Sequence, residues 1–95
     1  MSKVEIENVT SPGRTYRVDA AKFAAVRDAY LKVLPEGEPG LTPAEIQARL
    51  VPLLPQDLFP GGAKAGWWAK AVQLDLEAKG IAVRAPKAPV RLRRA

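Results

Sequence analysis

The chain has neither cysteine nor histidine. Without cysteine there are no disulfides and no thiolate nucleophile, and a reducing compartment fits. Without histidine there is no imidazole base and no histidine metal site. No apolar run approaches the ~18 residues that cross a bilayer. The segment Met1-Ser2-Lys3-Val4-Glu5-Ile6-Glu7 is too polar and charged for a signal peptide, so a cytoplasmic protein away from membranes is the expectation. Carboxylates are present but badly placed for catalysis. Asp75 and Glu77, two apart on a helix, point ~200° away from each other, and Glu5 with Glu7 reads as a solvated strand face. No enzyme activity, cofactor or metal is therefore expected.

Acidic residues are also missing from one end. Residues 84–95 hold Arg84, Lys87, Arg91, Arg93 and Arg94 and no acid, whereas the remaining ten basic and ten acidic groups cancel over residues 1–83. The whole formal charge of +5 thus sits in a short segment, where it produces a local field able to hold a polyanion. The 95 residues, 47% of them apolar, suit one globular domain over 1–95.

Periodicity gives the elements. Val4 and Ile6 alternate with glutamates, Tyr16 and Val18 alternate with Thr15 and Arg17, and Thr10-Ser11-Pro12-Gly13 lies between them, so residues 1–18 read as a strand pair or hairpin. Asp19 stands where a helix N-cap belongs, and Phe23, Val26, Tyr30, Val33 and Leu34 supply the apolar face of a helix over about 20–34. Thr42-Pro43-Ala44-Glu45 is a capping box with proline at the first helical position. Ile46, Leu50, Leu53 and Leu54 are its expected buried face, and Pro52 is expected to end or kink the regular helix near Leu50. Leu58 and Phe59 pack inward from a Pro/Gly connector. A third helix runs from Ala63 to Lys79 and stops at Gly80. It carries two apolar lines, Trp67-Ala71-Leu74-Ala78 and Trp68-Val72-Leu76, so both sides are expected to be buried. Asp75 falls between the lines and needs a partner, either Arg27, Arg49 or a backbone amide. In residues 81–95, Ile81, Val83, Val90 and Leu92 are expected to face the core and Arg84, Arg91 and Arg93 to face outward together.

Strand pair, three helices over 19–80 and a closing hairpin over 81–95 predict an α+β, winged helix-turn-helix-like domain, the hairpin being a basic wing. Three stretches carry a resemblance over nearly the whole chain: Ser11-Pro12-Gly13-Arg14-Thr15-Tyr16-Arg17-Val18-Asp19; Leu41-Thr42-Pro43-Ala44-Glu45; and Phe59-Pro60-Gly61-Gly62 through Gly66-Trp67-Trp68 to Val72-Gln73-Leu74-Asp75-Leu76-Glu77-Ala78-Lys79-Gly80. They resemble a family of short uncharacterised bacterial proteins with a winged helix-turn-helix-like domain. The run from the tryptophans through Leu-Glu-x-x-Gly into a basic hairpin is similar to winged-helix domains of bacterial transcription regulators. The resemblance implies the fold and brings no activity, cofactor or catalytic residue.

The functional expectations follow from the plan. As a recognition helix, the third helix would touch bases with Gln73 and neutralise phosphate with Lys64 and Lys70, while Arg84, Lys87, Arg91, Arg93 and Arg94 hold the backbone of double-stranded DNA from the wing. A module with one such surface dimerises to read a palindrome, so a homodimer is allowed for. Gly61-Gly62-Ala63-Lys64-Ala65-Gly66 is either a plain turn or a helix start holding one phosphate, and it does not match a nucleotide-binding loop. Trp67-Trp68 either packs in the core or stacks on bases. The rival is a protein–protein interaction module on the same scaffold, favoured by the nearly neutral third-helix face with Glu77 in its middle.

Overall fold

In the computed structural model, which describes residues 2–95, the expected hairpin opens the chain. Strands β1 (Lys3–Glu7) and β2 (Thr15–Asp19) are antiparallel, with Val4 opposite Val18 and Ile6 opposite Tyr16. Directly opposed residues share a face, so these four side chains form the inner face, where Ile6 and Val18 are buried.

Asp19 ends β2 and caps α1 (Ala20–Val33) by accepting the Lys22 amide at 2.9 Å. Phe23, Val26, Ala29 and Tyr30 give α1 its buried stripe, and Leu34 is buried just beyond it. Helix α2 (Pro43–Leu50) starts in the expected capping box. Thr42 Oγ1 accepts the Glu45 amide at 3.2 Å, and Glu45 Oε1 accepts the Thr42 amide at 2.9 Å. Ile46 and Leu50 are fully buried beneath it. Pro52 draws residues Val51–Leu53 into a 3₁₀ turn, whose tighter winding rotates side chains off the α2 stripe. Leu53 is therefore exposed, contrary to expectation, while Leu54 is buried.

Helix α3 (Ala65–Ala78) begins after Lys64, which takes a left-handed φ of 59°. Its Trp68-Val72-Leu76 line is buried as expected, and the Trp68 ring meets Phe59 edge-on at 6.3 Å. The Trp67 line corrects the expectation of a helix buried on two sides. Trp67 is 58% exposed, and Ala71, Leu74 and Ala78 are half-buried. The N-terminal hairpin is bonded to α3 at Leu74, whose carbonyl accepts the Val9 amide at 3.2 Å, and at Asp75. Trp67 lies about two turns away from those attachments.

Helix α3 ends in a Schellman arrangement. Gly80, at φ 72°, donates to Glu77 O at 3.1 Å, and Ile81 donates to Leu76 O at 2.9 Å. The exit direction this imposes sets the phase of β3 (Ala82–Arg84), which pairs antiparallel with β4 (Leu92–Arg94). Ala82 and Leu92 enter the core, whereas Ile81, Val83 and Val90 are only half-buried. Arg84 stands opposite Leu92, and Val83 opposite Arg93. The expected common outward face of Arg84, Arg91 and Arg93 is thus split, with Arg84 and Arg93 on opposite faces. Leu41, between α1 and α2, also pairs with Leu92, each amide donating to the other's carbonyl, at 3.0 and 2.8 Å. The Arg94 and Ala95 amides bond to Pro35 O and Ile81 O, stitching the basic end to the body.

The result is an α+β domain of three helices and two small antiparallel sheets around one core. Among the described residues, no helix is long and apolar enough to cross a membrane.

Candidate functional site

Two surfaces bear on function. The first is the one the sequence points to, where α3, the start of α2 and the C-terminal hairpin meet. Its basic side chains are mostly engaged within the fold. Arg84 grips Glu77 with two parallel bonds, Nε to Oε1 at 2.9 Å and Nη2 to Oε2 at 3.0 Å. Gln73, expected to reach base edges, is only 2% exposed and donates to Glu77 Oε2 at 3.0 Å. That placement corrects its reading as an exposed donor. Arg91 lies 3.6 Å from Glu45 Oε1. Arg94 donates to the carbonyls of Leu34 and Leu31, closing the C-terminal end of α1 where helix carbonyls lack partners. Arg93 donates to the Arg94 carbonyl at 3.1 Å. Lys64, Lys70 and Lys87 are exposed and, among the described residues, form no ion pair.

The electrostatics follow from these contacts. Partial burial pushes Glu77 up, but its bonds from Arg84 and Gln73 outweigh burial and hold its carboxyl below the usual carboxylate range. The Glu77 hydrogen bond raises Arg84 in turn. Glu45 is held low by the Thr42 amide of its own capping box, and Arg91 adds to this through space. Beneath this face, burial, with the Glu77 charge second, pushes the Tyr30 hydroxyl well up. That hydroxyl has no hydrogen-bond partner among the described residues.

The second surface is one that sequence reasoning missed. A cleft of about 350 Å³ lies between the N-terminal hairpin and α3. Ile6, Tyr16 and Val18 line it from the sheet, and Trp67, Ala71 and Leu74 from the helix. Tyr16 and Trp67 are two of the few large apolar side chains left exposed, at 41% and 58%. Arg17, Lys70, Glu7 and Asn8 supply its polar lining. The signal is present in part: Trp67 heads an apolar line whose spacing suits the core, with stacking on bases as the alternative for its ring.

The hairpin is fixed against α3 by Asp75. This carboxylate is fully buried, accepts the Glu7 amide at 2.8 Å through Oδ1, and pairs with Lys79 Nζ at 2.9 Å through Oδ2. Of the partners expected for Asp75, the backbone amide is the one present, joined by Lys79 in place of Arg27 or Arg49. A buried charge held by two donors is the condition under which burial is tolerated.

The Gly61–Gly66 segment forms a 3₁₀ turn over Pro60–Gly62, with Gly61 and Gly62 both at positive φ and the Gly61 amide bonded to Gln56 Oε1 at 3.1 Å. Among the described residues, no cluster of acidic side chains is arranged to hold a metal ion.

In comparison with known proteins, residues 3–92 match a protein family described only as a family of unknown function, DUF6958. No curated protein and no solved structure matches the chain.

Proposed function

We propose, from the premise that the chain belongs to this family of unknown function, that it is a winged-helix-like interaction module. It holds another protein on the face shared by α3 and the N-terminal hairpin, and it catalyses no reaction. The winged plan is supported by the element order and by Leu41, whose single bridge to Leu92 ties the α1–α2 connection to the β4–β3 hairpin. Two features depart from the plan. Residues 51–64 fill the α2–α3 connection, where a helix-turn-helix has a turn of ~3–4 residues, and the β1–β2 hairpin is additional.

The observation that carries the reading is the cleft with Tyr16 and Trp67 exposed on its two walls. Exposed aromatic side chains beside an apolar hollow are the usual anchors of protein recognition. The polar face offers less to duplex DNA. Arg84 and Gln73 are both committed to Glu77, Arg94 to the end of α1, and Arg91 is drawn toward Glu45. Reaching phosphate with them means giving up those contacts, and fold alone does not confer DNA binding.

Duplex DNA is the second reading, favoured by the three exposed lysines Lys64, Lys70 and Lys87. A duplex titration at several salt concentrations separates the two, comparing wild type with Arg91→Ala/Arg93→Ala and Lys64→Ala/Lys70→Ala. An interaction module binds duplex weakly and with little dependence on these residues. A log–log salt slope near about −3.6, the value for about four phosphates, reduced by roughly two units in either double variant, overturns the proposal.

A further inference from the structure

We infer that the cleft between β2 and α3 takes an extended acidic peptide strand, which pairs with the open edge of β2 and seats an apolar side chain between Tyr16 and Trp67. The inference rests on the interaction-module reading and specifies its partner by chemistry.

The first observation is the edge itself. The N-terminal sheet has two strands, so β2 is paired on one side only. Among the described residues, no backbone group outside the sheet bonds to Thr15, Tyr16, Arg17 or Val18. A strand edge presents donors and acceptors alternately along its length, and another polypeptide backbone matches that alternation. A nucleic-acid strand has no such alternation to offer.

The second is the location of the cleft relative to that edge. The attachments of the hairpin to α3 are at Leu74 and Asp75, and the cleft extends from there along α3 to Trp67. Tyr16, Arg17 and Val18 of β2 line the same cleft as Trp67, Lys70 and Ala71 of α3, so a strand added at the free edge of β2 is set beside this part of the helix. Side chains of a strand alternate between faces, so every second one turns inward, where Ile6, Val18, Ala71 and Leu74 form an aliphatic floor.

The third is charge. Lys70 lines the cleft from α3, while Arg17, opposite Glu5 in the ladder, stands on the other face of β2 from Tyr16 and Val18, beside the outward side chains of an added strand. Among the described residues neither cation forms an ion pair. This positive charge favours carboxylates on the incoming strand. It also opposes a second copy of this chain as the occupant. Self-pairing of β2 centred on Arg17 sets two copies of that arginine directly opposite each other, and like charges so placed are destabilising.

The test uses the intact protein and fluorescein-labelled peptides of ~8 residues, a common strand length, alternating aspartate with valine, leucine or phenylalanine. Anisotropy reads binding. The expected result is saturable binding by the acidic peptides, weakened at least tenfold by Trp67→Ala and by the charge reversal Lys70→Glu. It is abolished when alternate peptide nitrogens are methylated, and absent for the same peptides with lysine in place of aspartate. A cooperative urea transition shows that each variant is folded. Equal binding of methylated peptides overturns strand pairing while leaving a protein-binding cleft in place. No binding by the acidic peptides, tighter binding of oligo(dT) that the same variants weaken, or a dimeric mass in solution lost in Trp67→Ala overturns the inference. Salt-dependent duplex binding overturns the module reading separately.

Discussion

Asp75→Ala removes the side chain that fastens the N-terminal hairpin to α3. The carboxylate is fully buried and makes two contacts, so the loss divides in two. A hydrogen bond to a charged group contributes about 1.5–3 kcal/mol, and most of it is lost here because the Glu7 amide is left without an acceptor. The Lys79 contact contributes less. Its side chain is about one-third exposed at 36% and the ammonium rehydrates when released, so about 0.5 kcal/mol is a fair allowance. The sum is about 3 kcal/mol. For a domain of this size, 1 kcal/mol moves Tm by about 4–8 °C, so Tm should fall by about 12–24 °C. Urea denaturation followed by tryptophan fluorescence gives the free energy, and calorimetry gives Tm. Asp75→Asn is the informative control. An amide oxygen still accepts from Glu7, while the charge facing Lys79 is gone, so its loss should stay near about 1 kcal/mol. A loss below about 1 kcal/mol in Asp75→Ala, or equal losses in the two variants, would refute the assignment of the Glu7 amide as the main contact.

Gly40→Ala should cost at least about 2 kcal/mol, since Gly40 has φ 82° and a Cβ there stands 2.6 Å from Leu92 O; Gly13→Ala, at φ 84° in open space, should cost only about 1 kcal/mol in the same urea assay. Trp68→Ala should lose about 3–5 kcal/mol as a core truncation, whereas Trp67→Ala should lose only about 0.5–1.5 kcal/mol, the edge-on contact of its half-exposed ring with Trp68 at 5.1 Å. Glu77 has its folded-state pKa lowered, so its contribution is present above the unfolded value near about 4.3 and is lost as pH falls through the folded one. Urea midpoints measured down through that range should fall less steeply in Glu77→Gln than in wild type, and parallel curves contradict the pairing with Arg84.

Local chemistry made much of the fold legible. Asp19, the Thr42–Glu45 capping box and Gly80 each act on amides or carbonyls within a few residues, and each sits where its sequence context places it. What failed depended on geometry between elements. The phase of β3 is set by the angle at which Gly80 releases the chain, and a shift of one residue exchanged Val83 for Ala82 in the core. Leu53 turned outward because Pro52 tightened a single turn. Trp67 has the same spacing as a core residue, and only the position of the hairpin leaves it exposed. The arginines posed the hardest case. Their number and alternation are plain in the sequence, but the partners of Arg84 and Arg91 lie on other elements, at Glu77 and Glu45. A charge count therefore leaves out the pairing of Arg84 and Arg91.

The most direct measurement is a residue-resolved NMR map of amide and indole shifts, taken once with duplex DNA and once with the acidic strand peptides at the same ionic strength. The arrangement of paired arginines and open cleft predicts that the peptides move the Tyr16, Arg17 and Val18 amides and the Trp67 indole. The duplex should leave Gln73, Arg84 and the β3–β4 hairpin unmoved. Shifts concentrated on α3, Lys87 and Arg91 with duplex DNA, and none at β2 with peptide, would contradict it.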